Sequence, residues 1–307
     1  MEWWVVLLIV LSAVMFLGLI AYLSFCFYIS SMMADKMCKP KHFKTKEEKQ
    51  KEVEGCDGLN EYQRIPIEFK MSDGYIIHGD YSLNNPKKFV ICMHGHISNR
   101  EGSPKYAYAF YRLGYSVIFY DHRSHGENER GIVTMSYQES KDAVEIIDQV
   151  RAKFGQDIEL GLFGCSMGGA TALTCTKYKQ DLAFVVSDCG FASLEELTKS
   201  FIEIHHSPMF PILKLTNWYI KRRYHFSFKD ASPMEALKEN KKVPVLLIQG
   251  KEDDLVFPRN AQYLYNSCAS EKEIVYFDGA THCNSVVANK EKYYKVIEDF
   301  IKKYKRS

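Results

Sequence analysis

The hydrophobic pattern divides the chain into two unlike parts. From Trp3 to Met33 no residue is charged, and Val, Leu, Ile and Phe dominate. A bilayer core needs roughly 20 apolar residues in helix, so this run is long enough to span one with some tilt. It is also apolar all round, unlike a helix that covers a globular core with one face. Trp3, Trp4, Tyr22 and Tyr28 are suited to membrane interfaces. Residues 35–60 are rich in Lys and Glu with little apolar periodicity, and read as a juxtamembrane linker with some helix.

From Glu61 onward short β-rich runs alternate with helical stretches. Residues 64–70 and 75–81 flank Ser72-Asp73-Gly74, a turn signal, and are expected to form a hairpin. Dense apolar runs at 88–94, 116–121, 183–188, 243–249 and 273–277, and a further one within 156–164, have the length of buried strands. Helical patterns lie between them at 103–113, 137–154 and 168–177, and 291–303 closes the chain. In 137–154, Ala143, Ile146, Ile147 and Val150 share one face. Apolar strands separated by helices predict a mostly parallel central sheet with helices on both faces. At 191–242 the alternation stops; helical runs at 194–204 and 212–224 read as a cap inserted into the sheet domain. The expected organisation is an anchor (1–34), a linker (35–60) and one α/β domain (61–307).

A cleaved signal peptide would start with a basic segment and have a shorter apolar stretch; here only Met1 and Glu2 precede the run. A lipidated Cys26 is disfavoured by the bulky Phe25 before it. Lys36, Lys39, Lys41, Lys44 and Lys46 follow the span and nothing positive precedes it, so the positive-inside rule places the folded domain in the cytoplasm.

Composition narrows the partners. The net charge is only +2 and no basic stripe interleaved with aromatics occurs, which argues against nucleic acid. Nine cysteines, an odd number without a C-x-x-C pair, read as free or buried thiols in a reducing compartment.

The chemistry centres on Gly164-Cys165-Ser166-Met167-Gly168. This G-x-S-x-G follows an apolar strand and precedes a helical run, the setting of a nucleophile elbow. Small neighbours let the chain turn tightly, and the helix N-terminus favours developing negative charge at the serine. A serine needs a base. His282 lies just past the last strand, whereas His205, His206 and His225 lie in the cap. The acid is Asp253 or Asp254, with Glu252 a weaker choice, in the loop after strand 243–249; spacing alone does not separate the pair.

On these strings the chain resembles α/β-hydrolases of the serine aminopeptidase-like, monoacylglycerol lipase-like and cinnamoyl esterase-like groups, particularly small membrane-anchored bacterial members. The resemblance covers residue 61 to the C-terminus and implies an α/β-hydrolase fold with a helical cap. Those groups carry G-x-x-D-x-x-V-P in the acid loop. Aligning Gly250 and Val256 implies Asp253 as the acid, although here Phe257 separates Val256 from Pro258. His94-Gly95-His96 matches their H-G motif, which implies an oxyanion hole at the backbone N–H groups of His96 and Met167. Tyr120 to Glu127 resembles their D-x-R-x-x-G-x-S loop, with Asp121 and Arg123 as bracing residues. A metal site at His94, His96, His122 and His125 lacks the carboxylate or cysteine spacing that would support it.

These residues imply acyl transfer to water through Ser166, His282 and Asp253, with no metal or organic cofactor required. The expected substrate is a carboxylic ester, with a lipid or lysolipid suggested by the anchor and the aromatic cap. A peptidase using Glu195, Glu196 or Glu203 to hold a free amine, and a thioesterase, are the other enzyme readings. A non-catalytic membrane-tethered binding protein that keeps the fold is the reading from another class.

Overall fold

The computed structural model describes residues 2–56 and 62–304. Two N-terminal helices, α1 (Trp3–Cys38) and α2 (Lys46–Val53), precede the sheet domain. α2 starts at a capping box: Glu48 N–H donates to the Thr45 hydroxyl, and the Glu48 carboxylate accepts from the Thr45 amide. The sheet domain then runs β1 (Ile65–Lys70), β2 (Ile76–Ser82), β3 (Lys88–Met93), α3 (Pro104–Tyr111), β4 (Ser116–Tyr120), α4 (Tyr137–Phe154), β5 (Glu159–Cys165), α5 (Met167–Cys175) and β6 (Phe184–Asp188). The insertion holds α6 (Leu194–Ile204), α7 (Met209–Tyr224) and α8 (Pro233–Glu239). The chain finishes with β7 (Val245–Gly250), α9 (Arg259–Ser267), β8 (Lys272–Phe277), α10 (Ser285–Ala288) and α11 (Lys290–Tyr304).

The eight strands lie in the order β1-β2-β4-β3-β5-β6-β7-β8. β1, β2 and β4 pair antiparallel; all other pairs are parallel. The period of two along each central strand sorts side chains to two cores. In β3, Phe89, Ile91 and Met93 join Ile146, Ile147 and Val150 of α4 and Leu264 of α9 on one face. Val90 and Cys92 meet Tyr106 and Phe110 of α3 and Tyr293, Ile297 and Phe300 of α11 on the other. Strands buried on both faces read as continuous apolar runs, which is why the sequence reveals them.

Three stretches differ from expectation. α9 is amphipathic over only nine residues and has polar neighbours, so its period is too short to stand out. α8 begins at Pro233 inside the insertion. Most consequentially, the stretch after the apolar run is not a free linker. α1 continues to Cys38, with Cys26, Ser30, Ala34 and Met37 buried on one side at helical spacing. Beyond it, Val133 N–H donates to Cys38 O, Lys44 N–H donates to Ile97 O, and the Asn99 side chain donates to the carbonyls of Lys44 and Thr45. Lysine-rich composition hid this packing, because backbone groups and a few apolar side chains make the contacts.

Candidate active site

Ser166 stands alone between the end of β5 and the start of α5, at φ 55° and ψ −118°. A non-glycine residue in this region costs on the order of 1–3 kcal/mol, which the surrounding structure must offset. Part of that support is the hydrogen bond from Ser166 N–H to Asp188 O, 2.8 Å. The two motif glycines are steric requirements. A Cβ on Gly164 would lie 2.1 Å from Gly168 O, and one on Gly168 would lie 2.2 Å from Met93 O. The strand, the turn and the following helix thus meet without room for side chains. Met167 N–H belongs to the first turn of α5, whose amides have no acceptor within the helix.

The loops after β7 and β8 bring the other two expected residues to this serine. His282 Nε2 lies 2.9 Å from Ser166 Oγ, and His282 Nδ1 lies 2.8 Å from Asp253 Oδ2. An ionised carboxylate only accepts, so Nδ1 carries the proton and Nε2 is free to accept from the serine hydroxyl. Asp253 is 2% exposed. Its Oδ1 accepts from the amides of Leu255 (3.0 Å) and Val256 (2.8 Å), and its Oδ2 also accepts from Gln249 Nε2 (3.1 Å). Asp254 and Glu252 face solvent. The His282 loop is tied down by Tyr106, whose hydroxyl donates to Cys283 O at 2.7 Å. Burial works against a charged His282, but Cys283 and the Asp253 carboxylate outweigh it and raise the imidazole well above its ordinary value.

His94, His96 and His125 of the H-G and Tyr120–Glu127 loops bond to backbone groups through their rings. His94 Nδ1 donates to Gly95 O (2.7 Å), and its Nε2 accepts from His122 N–H (2.9 Å). His125 Nδ1 donates to Arg123 O (2.9 Å), and its Nε2 accepts from Ile97 N–H (3.2 Å). His96 Nε2 donates to Met37 O of α1, 2.9 Å. Burial pushes His94 and His96 down to about 4 and holds His122 and His125 well below the ordinary imidazole value. Beneath this loop Arg100 joins the buried Asp80 and Asp121 and the exposed Glu127 in an ion cluster, while Arg123 pairs with Asp142 at 2.8 Å and Asp73 at 2.9 Å. The bracing roles of Asp121 and Arg123 are visible in these bonds; Arg100 carried no motif in the sequence.

Two features escaped the sequence reading. Cys165 and Cys283, neighbours of Ser166 and His282 in the chain, approach to 2.9 Å between sulfurs, and Cys189 lies 3.5 Å from Cys283. Among the described residues, these three sulfurs, and separately Cys189, Asp253 and His282, bring possible ligand atoms within 4.8 Å of one another. In the second set His282 and Asp253 are already bonded to each other. The other feature is Asp188, buried and held by the hydroxyls of Ser285 (3.0 Å) and Tyr293 (3.1 Å). Burial, with Cys283 nearby, raises its carboxyl to about 7.

Ser166 lies between two chambers. One, of about 340 Å³, is walled by Met135, Leu197, Phe201, Ile202, Leu255 and Val256 and by Ile29, Met32 and Met33 of α1. The other, of about 360 Å³, is polar: Lys44, Lys49, Lys105, Ser98, Ser103 and Asn284 line it together with His282. The cap acids are paired with neighbouring cations. Glu195 and Glu196 pair with Lys199 (3.0 and 2.6 Å), and Glu203 pairs with Arg259 (2.8 Å).

Antiparallel strands at one edge, a parallel remainder, and a serine on a strained turn before a buried helix define the α/β-hydrolase fold. Residues 84–225 match the family described as "Serine aminopeptidase, S33". The chain is 29% identical to the uncharacterized protein YqkD of Bacillus subtilis over 74% of its own length and 76% of that protein's. It is 27% identical to the uncharacterized membrane protein YNL320W of Saccharomyces cerevisiae, over 62% and 63% of the two chains. Among solved structures, a Pyrococcus furiosus esterase superposes with a TM-score of 0.65 at 20% identity, covering 80% of this chain and 92% of the esterase.

Proposed function

We propose that the protein is a membrane-anchored serine hydrolase that cleaves a carboxylic ester through Ser166, His282 and Asp253. The observation that carries this reading is the continuous bonded chain from Ser166 Oγ through the two nitrogens of His282 to the buried Asp253 carboxylate. Ser166 Oγ attacks the ester carbonyl while His282 Nε2 takes the hydroxyl proton. Asp253 fixes the tautomer and stabilises the imidazolium. The N–H groups of His96 and Met167 receive the oxyanion; one such donor is worth roughly 3 kcal/mol in the transition state. His282 returns the proton to the departing alcohol. Water then attacks the acyl-enzyme, with His282 again as base, and the carboxylic acid leaves. The residues use no metal or organic cofactor for these steps.

An ester with an apolar acyl group is favoured over a peptide with a free N-terminus. The chamber beside Ser166 is lined by apolar side chains, and Glu195, Glu196 and Glu203 are already paired. A thioester would react by the same steps. The apolar α1 serves as a single-pass anchor, and the lysines after it support a cytoplasmic catalytic domain by the positive-inside rule.

A fluorophosphonate probe tests the mechanism on the full chain. Strong labelling of the wild type, lost in Ser166→Ala and His282→Ala, is the expected result. A folded wild type that does not label is a binding protein on a hydrolase scaffold, and the mechanism above fails.

A further inference from the structure

The anchor helix does more than tether the domain. From Trp3 to Phe25 its side chains are exposed, apart from a half-buried Val5. At roughly 1.5 Å per residue this stretch is about 34 Å long, enough for a bilayer core of ~30 Å. Burial begins directly afterwards, at Cys26. The emerging end of α1 runs alongside α7 of the cap. The Tyr22 hydroxyl donates to Phe210 O (3.0 Å), the Ser30 hydroxyl donates to Ile212 O (3.2 Å), and Asp35 accepts from Arg223 (2.8 Å) and Tyr224 (2.6 Å). Because Tyr22 lies within the spanning stretch, the start of α7 sits at the membrane surface. Phe210 there is 70% exposed, and Ile204 at the end of α6 is also exposed. Large apolar side chains uncovered at that level fit a lipid interface.

The apolar chamber connects these two levels. Ile29, Met32 and Met33 of α1 face Phe201, Ile202, His205 and Ser207 at the end of α6, and the same chamber touches Ser166. Its lining at His205 and Ser207 belongs to the same α6–α7 turn that carries the uncovered Ile204 and Phe210, and the same lining includes the nucleophile. Water offers nothing to such a surface, whereas an acyl chain leaving the bilayer keeps an apolar environment throughout. On the opposite side of Ser166, the polar chamber with Lys44, Lys49 and Lys105 suits a hydrated alcohol portion.

We infer that the emerging end of the transmembrane helix is one wall of an acyl-chain pocket, and that the substrate is a single-chain amphiphilic ester entering from the bilayer between α1 and the α6–α7 turn. This rests on the serine hydrolase reading above. The anchor is part of the binding site, so selectivity for chain length is encoded partly by residues 29–33.

The test uses the full chain in phosphatidylcholine proteoliposomes, with 4-nitrophenyl acetate and 4-nitrophenyl dodecanoate as probes. Wild type favours the dodecanoate, because each methylene seated in an apolar pocket raises kcat/KM roughly fourfold. Met33→Trp, which fills the pocket from α1, lowers the dodecanoate-to-acetate ratio at least tenfold. Met33→Ala, which removes wall without adding bulk, lowers it about threefold and serves if the tryptophan variant does not fold. Phe210→Glu lowers the rate on a fluorogenic monoacyl lipid held in the bilayer, relative to the soluble acetate. An unchanged ratio in both Met33 variants overturns the inference. Hydrolysis of neither ester by a chain whose Ser166 still labels with fluorophosphonate overturns it too, and leaves the serine hydrolase reading standing. Failure of Ser166 to label removes both.

Discussion

Five histidines meet at the carboxyl end of the sheet, and their surroundings divide them into two kinds. His282 faces a buried carboxylate on one side and a serine hydroxyl on the other, and its proton affinity is raised. His94, His96, His122 and His125 lie close by, with ring centres 4.7 Å apart for His94 and His122 and 5.1 Å for His94 and His125, and theirs is lowered. Nothing intrinsic to the residue separates them. An anionic partner stabilises the cation at His282, while burial penalises it at the other four, helped at His96, His122 and His125 by a neighbouring histidine; at His94 burial outweighs the nearby Asp121. One histidine is thereby suited to exchange a proton; of the others, His94, His96 and His125 bond through their rings to backbone groups, while the ring nitrogens of His122 are buried without a hydrogen-bond partner.

The largest effects test this division directly. His282→Ala is expected to lower kcat on the order of 10⁶-fold in an ester assay, with the thermal midpoint little changed. Asp253→Asn keeps the shape but lets the side chain donate to Nδ1, so the wrong tautomer is favoured; a loss of about 10⁴-fold in kcat/KM is expected. His94→Ala should act mainly on stability. It leaves the buried His122 N–H without its acceptor, costing roughly 1–3 kcal/mol in a denaturant titration, with smaller catalytic loss than either variant above. If His94→Ala instead abolished turnover in a fully stable chain, the two groups would not be distinct.

Acidity separates the groups by sign. His94 and His96, pushed down to about 4, refuse protons that the unfolded chain accepts below about 6.5. Their contribution is full above that pH and is lost as pH falls toward 4. His282, with a raised value, contributes in the opposite sense: its stabilisation is present below about 6.5 and is lost as pH rises through the folded value. Denaturant midpoints at pH 7.5 and 5 should therefore fall less for His94→Gln than for wild type. The smallest expected effect concerns Cys283, the leading neighbour that raises His282. Activity needs neutral His282, so the acid limb of kcat/KM lies above about pH 6.5. Cys283→Ala should move that limb to lower pH, and a limb that did not move would assign the raised affinity to Asp253.

Much of this site was legible because its signals are local. The Gly164–Gly168 string, the strand before it and the helix after it are read within a few turns of chain. The choice between Asp253 and Asp254 was not local. The loop turns so that the amides of Leu255 and Val256 point at one carboxylate, and the neighbouring side chain is left in solvent. Gln249 and Tyr106, which hold the acid and the histidine loop, carried no motif because many polar or aromatic side chains serve such roles.

The sequence by itself determined a long apolar helix, an alternation of buried strands and helices, and the order of serine, acid and histidine, since each follows from residue type and short-range period. Only the tertiary structure decided what these elements do to one another. It brought Met37 to His96 and Phe210 to Tyr22, drew together thiols from the ends of β5 and β6 and the loop after β8, and made the end of the anchor a wall beside Ser166. Such pairs lie far apart in the chain. Their meeting depends on how whole surfaces pack, and no periodicity within either segment encodes its partner.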